Sequence, residues 1–152
     1  MAIELDHVIV SAKNRLASAR MLAELLGVPW AHEGTGPFSP VYVSDGLTLD
    51  FVDDDSQFQV EHFCFRVSQG EFDAILARIK AAGIAYRSSV RGPQDMQVGT
   101  DYGGNMIYWN LPDGHQWEML TVSYARRETR PAAGVIASRS MQAIHERKTI
   151  AP

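Results

Sequence analysis

The stretches LDHVIV (5–10) and VEHFCF (60–65) read alike: an apolar residue, an acid, a His, then an apolar-rich run. Internal repetition constrains a fold more tightly than composition does, because each copy must build the same local unit. A helical pattern follows each stretch. In NRLASARMLAELLG the apolar positions are Leu16, Met21, Leu22, Leu25 and Leu26, with Asn14 placed to cap the start and Gly27 to stop the end. In SQGEFDAILARIKAAG, Ser68 and Glu71 stand at capping-box spacing, the stripe is Phe72, Ile75, Leu76 and Ile79, and Gly83 ends it. Extended segments come next, near 29–34, 38–44 and 47–53 in the first copy and near 84–90, 104–111 and 115–122 in the second. The expected fold class is therefore α+β: a single domain over 1–122 made of two βαβββ modules (1–53 and 58–122), with DDDSQ as the linker.

The last strands also match. GLTLDFVD starts at Gly46 and GHQWEMLT at Gly114, and four residues after each Gly stands an acid, Asp50 or Glu118. Each half thus offers a His on its first strand and a carboxylate on its last. Alternate strand residues face opposite sides. One set of faces is uniformly apolar: Val8 and Val10, Leu49 and Phe51, Phe63 and Phe65, Trp117 and Met119. The other set carries His7, Asp50, His62 with Cys64 and Arg66, and Glu118. Glu4 and Asp6 break the pattern at what reads as a frayed strand start. Between the halves' strands, RSSVRGPQDMQVGTDYGGN forms a polar, Gly-rich loop suited to covering a site.

Net charge is −4 over 152 residues, which gives no footprint for nucleic acid or an anionic membrane. The charge is uneven, because residues 123–152 hold six basic side chains against Glu128 and Glu146. This basic C-terminal extension reads either as a segment packed on its own body or a second copy, or as a frayed terminus. A lone Cys64 excludes an internal disulfide and fits a reducing compartment. No apolar run is long enough for a membrane span, and the first residues lack a signal-peptide pattern, so a cytoplasmic location is expected.

Two βαβββ halves with His first and an acid last resemble the vicinal oxygen chelate superfamily, which holds glyoxalases, bleomycin- and fosfomycin-resistance proteins and type I extradiol dioxygenases. The sharpest segment is IYWNLPDGHQWEML, an aromatic strand, a Pro-Asp-Gly turn and then Glu. The resemblance implies mixed, curved sheets forming a cup around one divalent metal, Fe(II), Mn(II), Ni(II) or Zn(II), with the modules of each cup often supplied by different subunits. It places the ligands at His7, His62 and Glu118, with Asp50 as a fourth ligand or a base, and implies a homodimer. Two imidazoles and a carboxylate suit these metals and leave positions open for substrate.

Arg66 is a candidate contact for a substrate carboxylate or phosphonate, its alternative being a side chain extended to water. Tyr108 has the parity to face the cup and matches the position of a catalytic Tyr in extradiol dioxygenases; packing is its alternative. Cys64 reads as a small packed residue. His32, His115 and His145 receive no role, and Trp30, Trp109 and Trp117 are expected to pack.

The implied activity is that of a metal-dependent glyoxalase- or dioxygenase-type enzyme on a small molecule with adjacent oxygens, the metal serving as Lewis acid. Ring-cleaving enzymes usually carry a further His shortly before the pair Ile107-Tyr108 and an acid or amide before Pro112. Here Gly99, Thr100 and Asp101 fill the first window and Leu111 the second. The alternatives are a resistance-type thiol transferase and a bleomycin-resistance-type protein that sequesters its ligand without metal.

Overall fold

A computed structural model describes residues 3–125. The elements run β1 (His7–Ala12), α1 (Arg15–Leu26), β2 (Ser39–Ser44), β3 (Leu47–Asp53), β4 (His62–Arg66), α2 (Gln69–Ala81), β5 (Tyr86–Arg87), β6 (Met106–Asn110) and β7 (Gln116–Leu120). The repeat is a repeat in space. The first sheet has the order β1-β3-β2 and the second β4-β7-β6-β5. In each, the first strand pairs in parallel with the last of its half, and the hairpin partner is antiparallel.

Two expected strands are shorter than their sequence patterns. The segment 29–34 contracts to a bridge between Trp30 and Val41. Pro29 has no N–H to donate, and Gly34, Gly36 and Pro37 interrupt the run that follows. The segment 84–90 keeps only Tyr86–Arg87 as strand.

Both helices begin and end as their end residues dictate. The Asn14 side chain accepts from the Ala17 N–H, and Gly27 closes α1 at φ 72°, a left-handed conformation that costs a side-chain-bearing residue energy. A Cβ at Gly27 would also press on the Arg78 guanidinium at 2.8 Å. Ser68 and Glu71 form a reciprocal capping box on α2. The buried stripe of α1 is Ala19, Leu22, Ala23 and Leu25, whereas Leu16 is exposed.

The apolar faces of both sheets and both helices build one core. It runs through Val10, Leu49 and Phe51 of the first half and Ile107, Trp109, Trp117 and Met119 of the second. Polar ties join the halves as well. Asp113, in the Pro-Asp-Gly turn, accepts from the Lys13 backbone N–H at 2.9 Å and from the Ser18 hydroxyl. His115 is buried: its Nδ1 accepts from the Glu61 N–H at 3.0 Å and its Nε2 donates to the Ser11 carbonyl at 2.8 Å. His115 thus bridges β1 and the approach to β4, a structural role that its turn context did not announce. Among the described residues no helix is long and apolar enough to cross a membrane.

Candidate metal centre

The faces turned away from this core carry the chemistry. In the second sheet β7 runs between β4 and β6, so Glu118 stands opposite Cys64 on one side and Tyr108 on the other. His62 reaches along the same face until its Nε2 lies 2.8 Å from Glu118 Oε2. Glu118 is 0% exposed. A buried carboxylate is costly without partners, and a further one is the Tyr124 hydroxyl, which donates to Oε1 at 3.0 Å and to Oε2 at 3.1 Å. Tyr108 is also buried and meets the His62 ring edge-on, with centroids 6.2 Å apart. Met106, Tyr108 and Leu120 form a small apolar floor on this face, separate from the main core.

The first sheet repeats the register. Asp50 stands opposite Ile9, two residues after His7, just as Glu118 stands opposite Cys64, two residues after His62. His7 and Asp50 line a hollow of about 420 Å³ with Asp6, Phe38, Tyr42 and Thr48. Asp6 accepts from His7 Nδ1 at 2.8 Å and holds the imidazole pKa above its usual value. That hydrogen bond leaves Nε2 as the free ligating nitrogen, the arrangement in which a carboxylate orients a metal-binding His. Asp6 itself lies just before β1 and is exposed.

The expected triad is divided in one chain. His62 and Glu118 meet on the second sheet; His7 and Asp50 share the first. Among the described residues no three His, Cys, Asp or Glu side chains gather in a geometry that could hold a metal. Each half presents an imidazole and a carboxylate on an open face, and that donor set fits a divalent cation as half of a coordination sphere. Ile9, on the open face of the first sheet, and Leu5, just before β1, are exposed.

Arg66 ends β4 at the rim of a smaller hollow, about 330 Å³, shared with Cys64, Leu120, Ser123 and Tyr124. Cys64 lies on this open face rather than in the core. Strand parity put it there, next to His62. Local packing against the thiol, reinforced by the negative Glu118, pushes its pKa up to about 12. At pH 8 such a group holds roughly three orders of magnitude less thiolate than an unperturbed cysteine. Cys64 in metal-free protein should accordingly react with iodoacetamide far more slowly than a free cysteine at pH 8, and alkylation at the ordinary rate would contradict the assignment. Burial and Glu118 likewise raise the pKa values of Tyr108 and Tyr124, so both phenols are proton donors at neutral pH.

Tyr124 was not legible as a site residue, since the sequence groups it with the basic extension. Ser123–Ala125 instead fold back beside Glu118, and the Tyr124 ring packs at a tilt against Tyr102 of the polar loop, centroids 4.7 Å apart. The basic residues from Arg126 onward, and His145, lie outside the described residues. A larger hollow, about 840 Å³, lies elsewhere, between the C-terminal ends of α1 and α2. Its lining includes Glu24, Arg78 and Leu111 but no imidazole or thiol, and Glu24 is paired with Arg20.

No family model matches the chain, and no curated protein does. Solved structures do. The oxidase ChaP-H2 is 36% identical, with a TM-score of 0.77, over 82% of this chain and 98% of that one. The oxidase ChaP-H1 is 39% identical, with a TM-score of 0.75, over 82% of this chain and 100% of that one. The fosfomycin resistance protein FosX from Listeria monocytogenes, solved with Mn(II) and sulfate, shares the fold at 21% identity and a TM-score of 0.59, over 82% of this chain and 94% of that one. The paired sheets, their repeated His-to-acid register and a likeness spanning nearly all of both oxidases lead to one assignment: the chain belongs to the vicinal oxygen chelate superfamily.

Proposed function

We propose that the protein is a metal-dependent oxidase acting on a small molecule with adjacent oxygens, working as a homodimer whose metal sites lie between copies. The observation that carries this reading is the His62–Glu118 pair at 2.8 Å with a fully buried carboxylate, repeated in register by His7 and Asp50. Each half supplies what the other lacks. The exposed Ile9 on the first sheet, with Leu5 just before it, offers apolar surface on which a second copy can seat.

In this arrangement His7 of one copy joins His62 and Glu118 of the other as ligands, with Asp50 as fourth ligand or base. A divalent metal there, Fe(II), Mn(II), Ni(II) or Zn(II), would supply Lewis-acid activation of the adjacent oxygens. The chain's own groups do the rest. Asp6 orients His7. Tyr108, protonated at neutral pH and packed against His62, can give a proton to an oxyanion of the substrate. Arg66 at the rim can hold a substrate carboxylate. The apolar floor of Met106 and Leu120 excludes water from this face. An oxidation needs a partner oxidant, and dioxygen is the chemical class this reading names. The oxidase reading rests on the names of the two structures at 36% and 39% identity.

Metal analysis tests it. Protein purified without chelator should hold about one first-row metal per chain, and His62→Ala should lose it. A folded dimer that takes up no metal would contradict the reading and favour a sequestering protein. Dioxygen uptake with catechol-like substrates, set against α-ketoaldehyde turnover and thiol addition to epoxides, separates the oxidase from glyoxalase and transferase chemistry.

A further inference from the structure

The contacts that His62 and Tyr124 make with Glu118 are not equivalent. His62 Nε2 meets Oε2 only, at 2.8 Å, whereas the Tyr124 hydroxyl spans both oxygens, at 3.0 Å from Oε1 and 3.1 Å from Oε2. The phenol is held in place by more than this contact. The chain turns back after β7, where the Thr121 N–H donates to the Asn105 carbonyl at 3.0 Å and the Asn105 N–H donates to the Thr121 hydroxyl at 2.9 Å. A Cβ at Gly104 would meet the Thr121 hydroxyl at 2.6 Å and Val122 at 2.7 Å, so the turn requires a bare backbone there. Tyr102 then packs at a tilt against the Tyr124 ring.

We propose that Tyr124 is a positioning residue for the metal centre: its hydroxyl spans both oxygens of Glu118 and so holds the buried carboxylate with Oε2 beside His62 Nε2, where the two would ligate a metal. The proposal rests on the metal reading above. Tyr124 touches the ligand and acts through it. Removing the hydroxyl takes a donor from both oxygens of the buried carboxylate and lets it turn away from His62 Nε2. Partners that orient a ligand in this way typically change metal affinity by about 10–100-fold when removed.

Tyr124→Phe keeps the ring and its contact with Tyr102, and the full-length protein is the one to use. Equilibrium dialysis against Mn(II) should show a Kd about 10–100-fold weaker than wild type. In the Co(II)-loaded protein, the visible d–d bands should change in position and intensity because a ligating carboxylate is reoriented, a signature that loosened packing away from the ligands does not produce. A Tyr124→Phe protein that binds Mn(II) within about twofold of wild type, or that has an unchanged Co(II) spectrum, overturns the role of Tyr124 and leaves the metal reading intact. Wild-type protein that takes up neither Mn(II) nor Co(II) overturns both.

Discussion

Mixing His7→Ala chains with Glu118→Gln chains should restore metal binding that neither variant has alone. In a two-fold dimer with sites between copies, each site takes His7 from one chain and the His62–Glu118 pair from the other. A homodimer of either variant lacks a ligand at both sites. In the mixed dimer both lesions fall in the same site, and the other site is complete. After free exchange of subunits half the dimers are mixed, so about a quarter of the wild-type sites should return. Activity should return in the same proportion, against losses of several orders of magnitude in the separate variants. Two outcomes sink the shared site. One is no recovery on mixing; the other is full metal content in the His7→Ala protein by itself.

Trp117→Ala should be the most damaging core substitution tested in this chain, costing about 3–5 kcal/mol. Trp117 is almost wholly buried and stacks on Phe63 and Phe65 at 4.7 and 5.9 Å within its own half. It also meets Phe51 of the first half at 6.5 Å. Its indole N–H makes no hydrogen bond among the described residues, so the loss is one of packing and cavity rather than of polar contacts. The melting temperature should fall by roughly 10–20 °C. Trp30→Ala, at a half-buried position stacked on His32, should cost much less. Equal shifts for the two would place the hub of the core elsewhere.

The fold was largely legible because its signals are local. Asn14, Gly27, Ser68 and Glu71 act within a turn of the backbone they cap, and strand parity sorted Phe63, Phe65, Trp117 and Met119 from His62 and Glu118 without tertiary information. Strand length was less legible, since Trp30 and its neighbours look extended whether or not they pair. Parity also fails to say which sheet a face will meet. It put His7, His62 and Glu118 on open faces but did not show that one chain keeps His7 apart from the other two. Tyr124 and His115 carry no periodic signal at all: one depends on a chain reversal after β7, the other on the approach of β1 to a distant turn. Cys64 shows the reverse error, in which its residue type suggested the interior although its alternation with Phe63 and Phe65 already pointed outward.

Keeping His7 on a different sheet from His62 and Glu118 has a kinetic corollary. An enzyme whose ligands are complete only in the dimer loses specific activity on dilution, as chains separate below their dissociation constant. Its rate then rises with the square of protein concentration, and added metal raises the melting temperature more in concentrated samples than in dilute ones.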